Sequence, residues 1–208
     1  MSAQGGHLRL KGASPEAQRQ ALETAVCASP RMAGVLAKAR ALDLPDWWIV
    51  SGAIYNTVWN WLTDRPDMHG VKDIDLFYFD PDTSYDAEDG IIREVAAAIP
   101  GAPPVEVRNQ ARVHLWYERH FGHPYPALQS AAEGIDRFAS RTHAIGLRLE
   151  SDDSLTLYAP YGLQDVFAFR LTPNTLLPNR ATHEAKAARQ LAHWPELEFV
   201  PWPAEPSA

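Results

Sequence analysis

The sequence predicts a mixed α/β fold of the α+β type, in which helices flank a small mixed sheet. Apolar runs at 47–50 and 76–79 and the segment 105–107, with two valines around Glu106, have the length and composition of strands. Segments with helical periodicity separate these runs. A hairpin follows, because alternating apolar residues from 145 to 149 are joined by a polar turn to a second apolar run at 155–158.

The composition is that of a globular protein with a sizeable core. The chain has 208 residues, of which 46% are hydrophobic, and it contains no apolar run long enough to cross a bilayer. The N-terminal segment lacks the apolar centre of a signal peptide, and the single cysteine, Cys27, excludes an intrachain disulfide. We therefore expect a cytoplasmic protein without a membrane partner.

The charge of the chain argues against nucleic acid as a partner. The formal net charge is −7, which gives no general attraction to a phosphate backbone. Fifteen of the 19 basic residues are arginines, whose planar guanidinium pairs well with phosphate oxygens. A local basic pocket for a phosphorylated small molecule is compatible with this composition.

Helix signals lie before and between the predicted strands. Ser14 followed by Pro15 predicts an N-cap and first turn, and Ser29 followed by Pro30 repeats the signal. The predicted helices span about 15–28, 31–42, 53–62, 87–99, 130–139 and 182–193, and a further helix is predicted to begin at about Gln110 in the stretch 108–122. Residues 162–171 are predicted to add a last strand or a helix and strand.

A single domain is predicted over residues 14–195, with a soft subdivision near residue 123. Residues 1–13 have no clear periodicity and are predicted to form a flexible N-terminus. Residues 196–208 form a proline-rich tail for which no regular structure is predicted.

The stretch VKDIDLFYFD, residues 71–80, carries the clearest chemical signal. Asp73 and Asp75 are two residues apart, so they project from the same side of a strand. Two parallel carboxylates repel each other, and a divalent metal ion or a nearby basic side chain is needed between them. The apolar strand that follows them favours a metal site at its entrance.

Two further features extend this signal. Gly52 stands between a predicted strand and a predicted helix, where free backbone amides at a helix start can receive an anion. Glu106 lies between two valines on the third strand. Three carboxylates at neighbouring strand edges, facing a helix start, form a layout for phosphoryl transfer with magnesium and a nucleoside triphosphate.

At these motifs the sequence resembles the nucleotidyltransferases of the polymerase-beta type. Their signature is an apolar residue and Gly followed by Gly or Ser, then an acid-apolar-acid triplet and a later strand acid. The blocks GAIYNTVWN, KDIDLFYFD, RNQARVHLWY and APYGLQDVFAFRLTPN are similar to a bacterial nucleotidyltransferase-like family formerly listed as a domain of unknown function. The resemblance covers about residues 32–175 and implies a nucleotidyltransferase-like sheet with a C-terminal helix and hairpin region.

The resemblance assigns roles to individual residues. Asp73, Asp75 and Glu106 match the metal-binding and catalytic acids, with Mg²⁺, or Mn²⁺, as the cofactor. The predicted nucleotide-binding residues are Ser51, Gly52, Ala53, Lys72 and Arg108. Two departures from the pattern stand out, because Ala53 occupies the place of the second Gly or Ser and the loop from Gly52 to Asp73 is longer than usual.

The predicted function is therefore transfer of a nucleoside monophosphate from a nucleoside triphosphate to a hydroxyl of an unidentified small molecule or protein. The first alternative is a noncatalytic nucleotide-binding or scaffolding protein of the same fold. The second is a metal-dependent glycosyltransferase, although the glycine and helix before the acids do not support it. Tyr55, Trp59, Trp116 and Tyr117 have a spacing that allows stacking on a base, but aromatic side chains at helical spacing belong more often to a core.

Overall fold

The computed structural model describes residues 6–204, and a five-stranded mixed sheet forms its centre. The strands are β1 (Trp48–Val50), β2 (Ile74–Tyr78), β3 (Val105–Asn109), β4 (Gly146–Leu149) and β5 (Leu155–Tyr158). Their order is β3-β2-β1-β4-β5, with β2 and β3 parallel and the other neighbours antiparallel. The predicted fold class, mixed sheet and hairpin are confirmed.

Helices surround this sheet at positions close to those predicted. They are α1 (Pro15–Ala28), α2 (Pro30–Leu42), α3 (Gly52–Leu62), α4 (Tyr85–Ala98), α5 (Tyr117–Phe121), α6 (Ala131–Asp136), α7 (Gln164–Phe167) and α8 (Arg180–His193). The predicted caps are confirmed, because the Ser14 and Ser29 hydroxyls accept hydrogen bonds from the amides of Ala17 and Met32. Short 3-10 helices lie at Gly6–Leu8, Gln110–Leu115 and Arg141–His143.

The segment after β3 differs from its prediction as one helix. A 3-10 helix covers Gln110–Leu115, and α5 begins only at Tyr117. The buried Asn109 side chain accepts a hydrogen bond of 3.0 Å from the amide of Ala111, two residues further on. This local bond closes a tighter turn than an α-helix has, so the helix begins in the 3-10 form.

The two faces of the sheet carry different layers. Ile49, Leu76 and Val107 point into the main core, which α1, α2, α3 and α4 cover. On the opposite face, Trp48 and Val50 form a second, smaller core with α6. Because side chains alternate along a strand, the side chain of Asp75 lies on the face of the smaller core.

The described part of the N-terminus makes contacts that the sequence does not predict. Leu8 and Leu10 pack against the main core, and the Arg9 guanidinium donates to the carbonyl of Leu62 at 3.2 Å. Residues 6–13 therefore contact the main core and the end of α3, whereas the flexibility of the N-terminus stays a prediction. Residues 1–5 lie outside the described range.

The proline-rich tail contains one strand that was not predicted. Strand β7 (Glu198–Phe199) pairs in parallel with β6 (Arg170–Leu171), and the amide of Val200 donates to the carbonyl of Leu171. The acceptors of these hydrogen bonds belong to the edge of β6, so the sequence of the tail alone does not indicate a strand. Residues 205–208 lie outside the described range.

None of the helices within residues 6–204 combines the length and the apolar content needed to cross a membrane.

Candidate active site

The three predicted acids lie at the start of two neighbouring strands. Asp73 immediately precedes β2, and Asp75 is the second residue of that strand. Ile74 between them is fully buried in the main core, so both carboxylates leave the other face of the sheet. In the parallel pairing of β2 and β3, Asp75 stands directly beside Glu106. The fold therefore brings the three acids to one face of the sheet.

The Asp75 carboxyl is desolvated by burial and is influenced by several charged side chains. Burial raises the pKa of Asp75 to about 6, the Lys186 ammonium opposes the change, and the Asp73 and Glu106 carboxylates add to it. A carboxylate that is both desolvated and flanked by like charges is typical of a functional site.

Basic side chains balance the other two acids. Lys72 lies 3.3 Å from Asp73, and Arg108 lies 3.9 Å from Glu106. Within residues 6–204, no three His, Cys, Asp or Glu side chains converge as a ready-made metal site. The donor set nevertheless fits Mg²⁺ or Mn²⁺, because it consists of carboxylate oxygens on one face and a divalent cation would offset both the burial and the carboxylate repulsion that raise the pKa of Asp75.

The start of α3 lies beside the acids. Val50, the last residue of β1, stands opposite Asp75 in the antiparallel pairing, so the chain passes directly from the acid pair to Ser51 and Gly52. Ser51 has a positive φ of 57°, and its side chain does not cap the helix. The first amides of α3 thus donate no hydrogen bond to a capping side chain at Ser51, as an anion-binding helix start requires.

Gly52 is not required by packing inside the chain. A Cβ atom at this position would lie 3.6 Å from the Tyr55 hydroxyl and 3.7 Å from the Asn56 side-chain nitrogen, which are ordinary contacts. Ala53, which departs from the family pattern, is fully buried. Its methyl group faces the protein interior, so the backbone of this turn remains available at Gly52.

Lys186 on α8 is the site residue that the sequence interpretation missed. Its pKa is lowered by burial, while the Asp75 and Asp73 carboxylates act in the opposite direction, which places the ammonium beside the acid pair. A signal was present in the sequence. Polar residues lie on the buried face of α8, at His183 and Gln190, and polar residues on the buried face of a helix commonly mark a site or a network.

Buried hydrogen bonds fix the position of α8. The Gln190 amide donates to the Tyr55 hydroxyl, and its carbonyl oxygen accepts from Nε2 of His143 at 3.0 Å. Burial keeps the pKa of His143 well below its ordinary value, so this ring is neutral. The Tyr55 and His143 rings stack at 4.8 Å, and Tyr55 belongs to α3. The helix that carries Lys186 is therefore attached to the helix that begins at Gly52.

The four aromatic residues considered for base stacking divide into two pairs. Tyr55 and Trp59 are 1% and 0% exposed and lie in the main core, as aromatic side chains at helical spacing generally do. Trp116 is 40% exposed, and Tyr117 lies beside it. Both of these residues line a cavity of about 210 Å³ next to the acids.

This cavity lies between the sheet face, the segment after β3, and helices α6 and α8. Its aromatic walls are Phe77, Trp116, Tyr117, Phe121, Tyr125 and Phe138. Its basic side chains are Arg108, Arg137 and Lys186. We name it the aromatic cavity.

Comparison with known proteins agrees with this geometry. A sequence model of a family described as nucleotidyltransferase matches residues 37–199. The chain is also similar to a solved NMR structure described as a CCA-adding enzyme head domain, with 27% sequence identity and a TM-score of 0.70. The match covers 88% of this chain and 96% of that chain. The comparison with curated proteins gives no match.

Proposed function

We propose a specific reaction for this chain, which belongs to the nucleotidyltransferase family: transfer of a nucleoside monophosphate from a nucleoside triphosphate to a hydroxyl group, with Mg²⁺ or Mn²⁺ as cofactor. The register of β2 and β3 is the observation that carries the proposal. It sets Asp75 beside Glu106 on one face, while β1 delivers Ser51 and Gly52 to the same end of the sheet.

Each site residue has a role in this reaction. Asp73, Asp75 and Glu106 would hold the divalent cation, which when bound supplies positive charge to the phosphate oxygens. The backbone of Ser51, Gly52 and Ala53 would receive the triphosphate at the start of α3. The exposed Lys72 and the half-exposed Arg108 would contact phosphate oxygens from the two sides of the acids.

The proposed reaction is a displacement at the α-phosphorus. The acceptor oxygen forms a bond to this phosphorus, and the bond from phosphorus to the bridging oxygen breaks. Pyrophosphate leaves with the electron pair, and the proton of the hydroxyl passes to Glu106 as base and then to solvent. Glu106 suits this role because its side chain is 46% exposed and lies on the outer side of the acid group.

Thermal unfolding with each of the four nucleoside triphosphates, with and without Mg²⁺, tests the proposal. A triphosphate at about a hundred times its Kd stabilises the native state by about 2.7 kcal/mol. We expect a Mg²⁺-dependent increase in Tm that is lost in the double variant Asp73→Asn, Asp75→Asn. The double variant Asp86→Asn, Glu94→Gln removes the same charge from exposed positions on α4 and should keep the increase.

An equal increase in Tm on addition of triphosphate and Mg²⁺ in both double variants would contradict the assignment of the acids. If triphosphates bind but no acceptor mixture gives release of pyrophosphate, the noncatalytic nucleotide-binding alternative is favoured instead.

A further inference from the structure

The aromatic cavity and the start of α3 lie on opposite sides of the acids. In the sheet order β3-β2-β1, Gly52 follows β1, whereas Phe77 and Arg108 of the cavity floor belong to β2 and β3. The described residues that line the cavity include none from β1 or α3. A triphosphate bound at the start of α3 therefore does not occupy the aromatic cavity, and the cavity stays open on the Glu106 side of the acids.

The cavity is close enough to the acids to present a bound molecule to them. Phe77 and Arg108 face each other in the strand register, and each is two residues beyond an acid, Asp75 or Glu106. Two residues along a strand correspond to about 7 Å, and side chains two apart share one face. A molecule that sits on Phe77 thus extends to the acids without crossing another part of the protein.

The walls of the cavity suit a planar ring. Phe77 and Phe138 stack with a centroid distance of 5.6 Å, and Tyr117 and Tyr125 pack at 4.2 Å. These ring pairs hold one another in place, so their remaining edges and faces are presented to the cavity in fixed positions. A volume of about 210 Å³ accommodates an aromatic ring system.

The basic side chains of the cavity suit an anion. The Lys186 ammonium lines the cavity at 5.5 Å from the centre of the Phe138 ring, and it makes no hydrogen bond and no ion pair with the residues from 6 to 204. Arg137 lies over the Tyr125 ring at 5.9 Å, donates a hydrogen bond of 2.5 Å to the backbone carbonyl of Glu133, and has the Glu133 carboxylate at the longer distance of 4.0 Å. Cationic side chains that lie next to aromatic rings, in a chain that is acidic as a whole, favour the binding of an aromatic anion.

We propose that the aromatic cavity binds the acceptor, and that the acceptor is a small molecule with a planar aromatic ring, an anionic group and the hydroxyl that is modified. The proposal rests on the proposed function and adds the chemical class of the second substrate. The ring lies against Phe77 and Phe138, the anion contacts Lys186 or Arg137, and the hydroxyl reaches Glu106. Its oxygen then forms the bond to the α-phosphorus as pyrophosphate leaves.

The test compares molecules that carry both an aromatic ring and an anionic group with molecules that carry only one of the two. AMP contains a ring and an anion, adenosine only the ring, and ribose 5-phosphate only the anion. Pyridoxine 5′-phosphate and pyridoxine form a second pair. Binding is measured by isothermal titration calorimetry on the full chain, saturated with Mg²⁺ and the α,β-methylene analogue of the triphosphate that stabilises it most. We expect at least one of the two phosphorylated ring compounds to bind ten times more tightly than its partial counterparts.

Matched variants locate this binding. Trp116→Ala and Lys186→Met should each weaken the binding at least tenfold. Tyr85→Ala and Lys38→Met remove an exposed aromatic ring and an exposed ammonium outside the cavity, and they should leave the binding unchanged. The increase in Tm caused by the triphosphate analogue is recorded on the same samples. Its absence would count against the proposed function, whereas its presence without acceptor binding would count against the cavity assignment alone.

Three other results would overturn the proposal. Competition between AMP and the triphosphate analogue would make the cavity the base site of the donor. Tighter binding of a short single-stranded RNA, lost in Trp116→Ala, would make the acceptor a nucleic acid. Equal affinity for the complete molecules and their partial counterparts would remove the requirement for a ring with an anion.

Discussion

At the scale of single residues, burial and charge act together on the Asp75 carboxyl. Its pKa is raised to about 6 from the ordinary value of 3.8, mainly by burial, and Lys186 offsets only part of the effect. Ionised Asp75 therefore lowers the stability of the folded protein. Binding sites commonly retain such an unfavourable arrangement because the ligand, here a cation, compensates for it.

This raised pKa predicts how Asp75→Asn changes stability with pH. The folded state binds the Asp75 proton more tightly than the unfolded state, so the wild-type protein loses stability as the pH rises from about 4 to 6. The free energy of unfolding of the variant, relative to wild type, should increase by about 2–3 kcal/mol between pH 4 and pH 7. Urea unfolding at several pH values without divalent cations measures it. A difference that stays flat with pH would exclude the raised pKa.

Gly52 allows function and stability to be separated at a single backbone position. Because a Cβ atom fits there within the chain, Gly52→Ala should keep the free energy of unfolding within about 0.5 kcal/mol of wild type or increase it. Under the proposed function the triphosphate contacts the backbone of this turn, so the added methyl group should weaken binding of the triphosphate at least tenfold. Thermal unfolding with and without nucleotide gives both quantities. Gly90→Ala, at a helical glycine with open space, is the control, and an unweakened affinity in Gly52→Ala would remove Gly52 from the site.

At the scale of elements, α8 links the acids to the rest of the fold. It carries Lys186 towards Asp75, and its C-terminal neighbour Trp194 is fully buried and donates a hydrogen bond to the Asn60 side chain at 3.2 Å. Gln190 bonds Tyr55 of α3 and His143 of the segment before β4. The position of the lysine therefore depends on polar contacts that span three parts of the chain.

The contribution of this network is measured by Gln190→Met, which keeps the length of the side chain. The change leaves the Tyr55 hydroxyl and His143 Nε2 without their buried partner, so the free energy of unfolding should fall by about 2–4 kcal/mol. Urea unfolding at pH 7 measures the loss. Gln20→Met, at an exposed position on α1, should stay within about 0.5 kcal/mol. A similar value for both variants would show that the network does not stabilise the fold.

At the scale of the whole molecule, the sheet joins the two halves of the chain. The soft subdivision predicted near residue 123 falls between β3 and β4, yet β1 pairs with β2 on one side and with β4 on the other. The main core likewise includes side chains from both halves, such as Ile54 and Phe167. Neither half can complete the sheet or the core alone.

We therefore predict one cooperative unfolding transition. The calorimetric and van't Hoff enthalpies should agree, and the thermal transitions followed by tryptophan fluorescence and by far-ultraviolet circular dichroism should coincide. A fragment that ends at residue 123 should lack a cooperative transition, because β1 loses its β4 partner. Two separate transitions in the intact chain, or a folded fragment, would mean that the subdivision is a real domain boundary.

The local elements and the chemistry of the acids are specified by short stretches of the chain. Caps at Ser14 and Ser29, alternation in the hairpin and apolar runs at the strands are local signals, which is why the fold class and most helices could be predicted. The pair Asp73 and Asp75 is separated by one residue, so a strand places both on one side whatever the rest of the fold does.

The distant residues that join the acids are specified by the packing of the whole fold. The parallel register brings Glu106 beside Asp75, and the docking of α8 brings Lys186 from more than a hundred positions away. The aromatic cavity assembles side chains from the sheet, from the segment after β3 and from two later helices. The periodicity of the sequence does not show which distant residues come into contact, because these contacts depend on how the buried faces of the elements pack against each other. For the same reason the pairing of β7 with β6 was missed, since a strand of two residues is specified by the edge it joins.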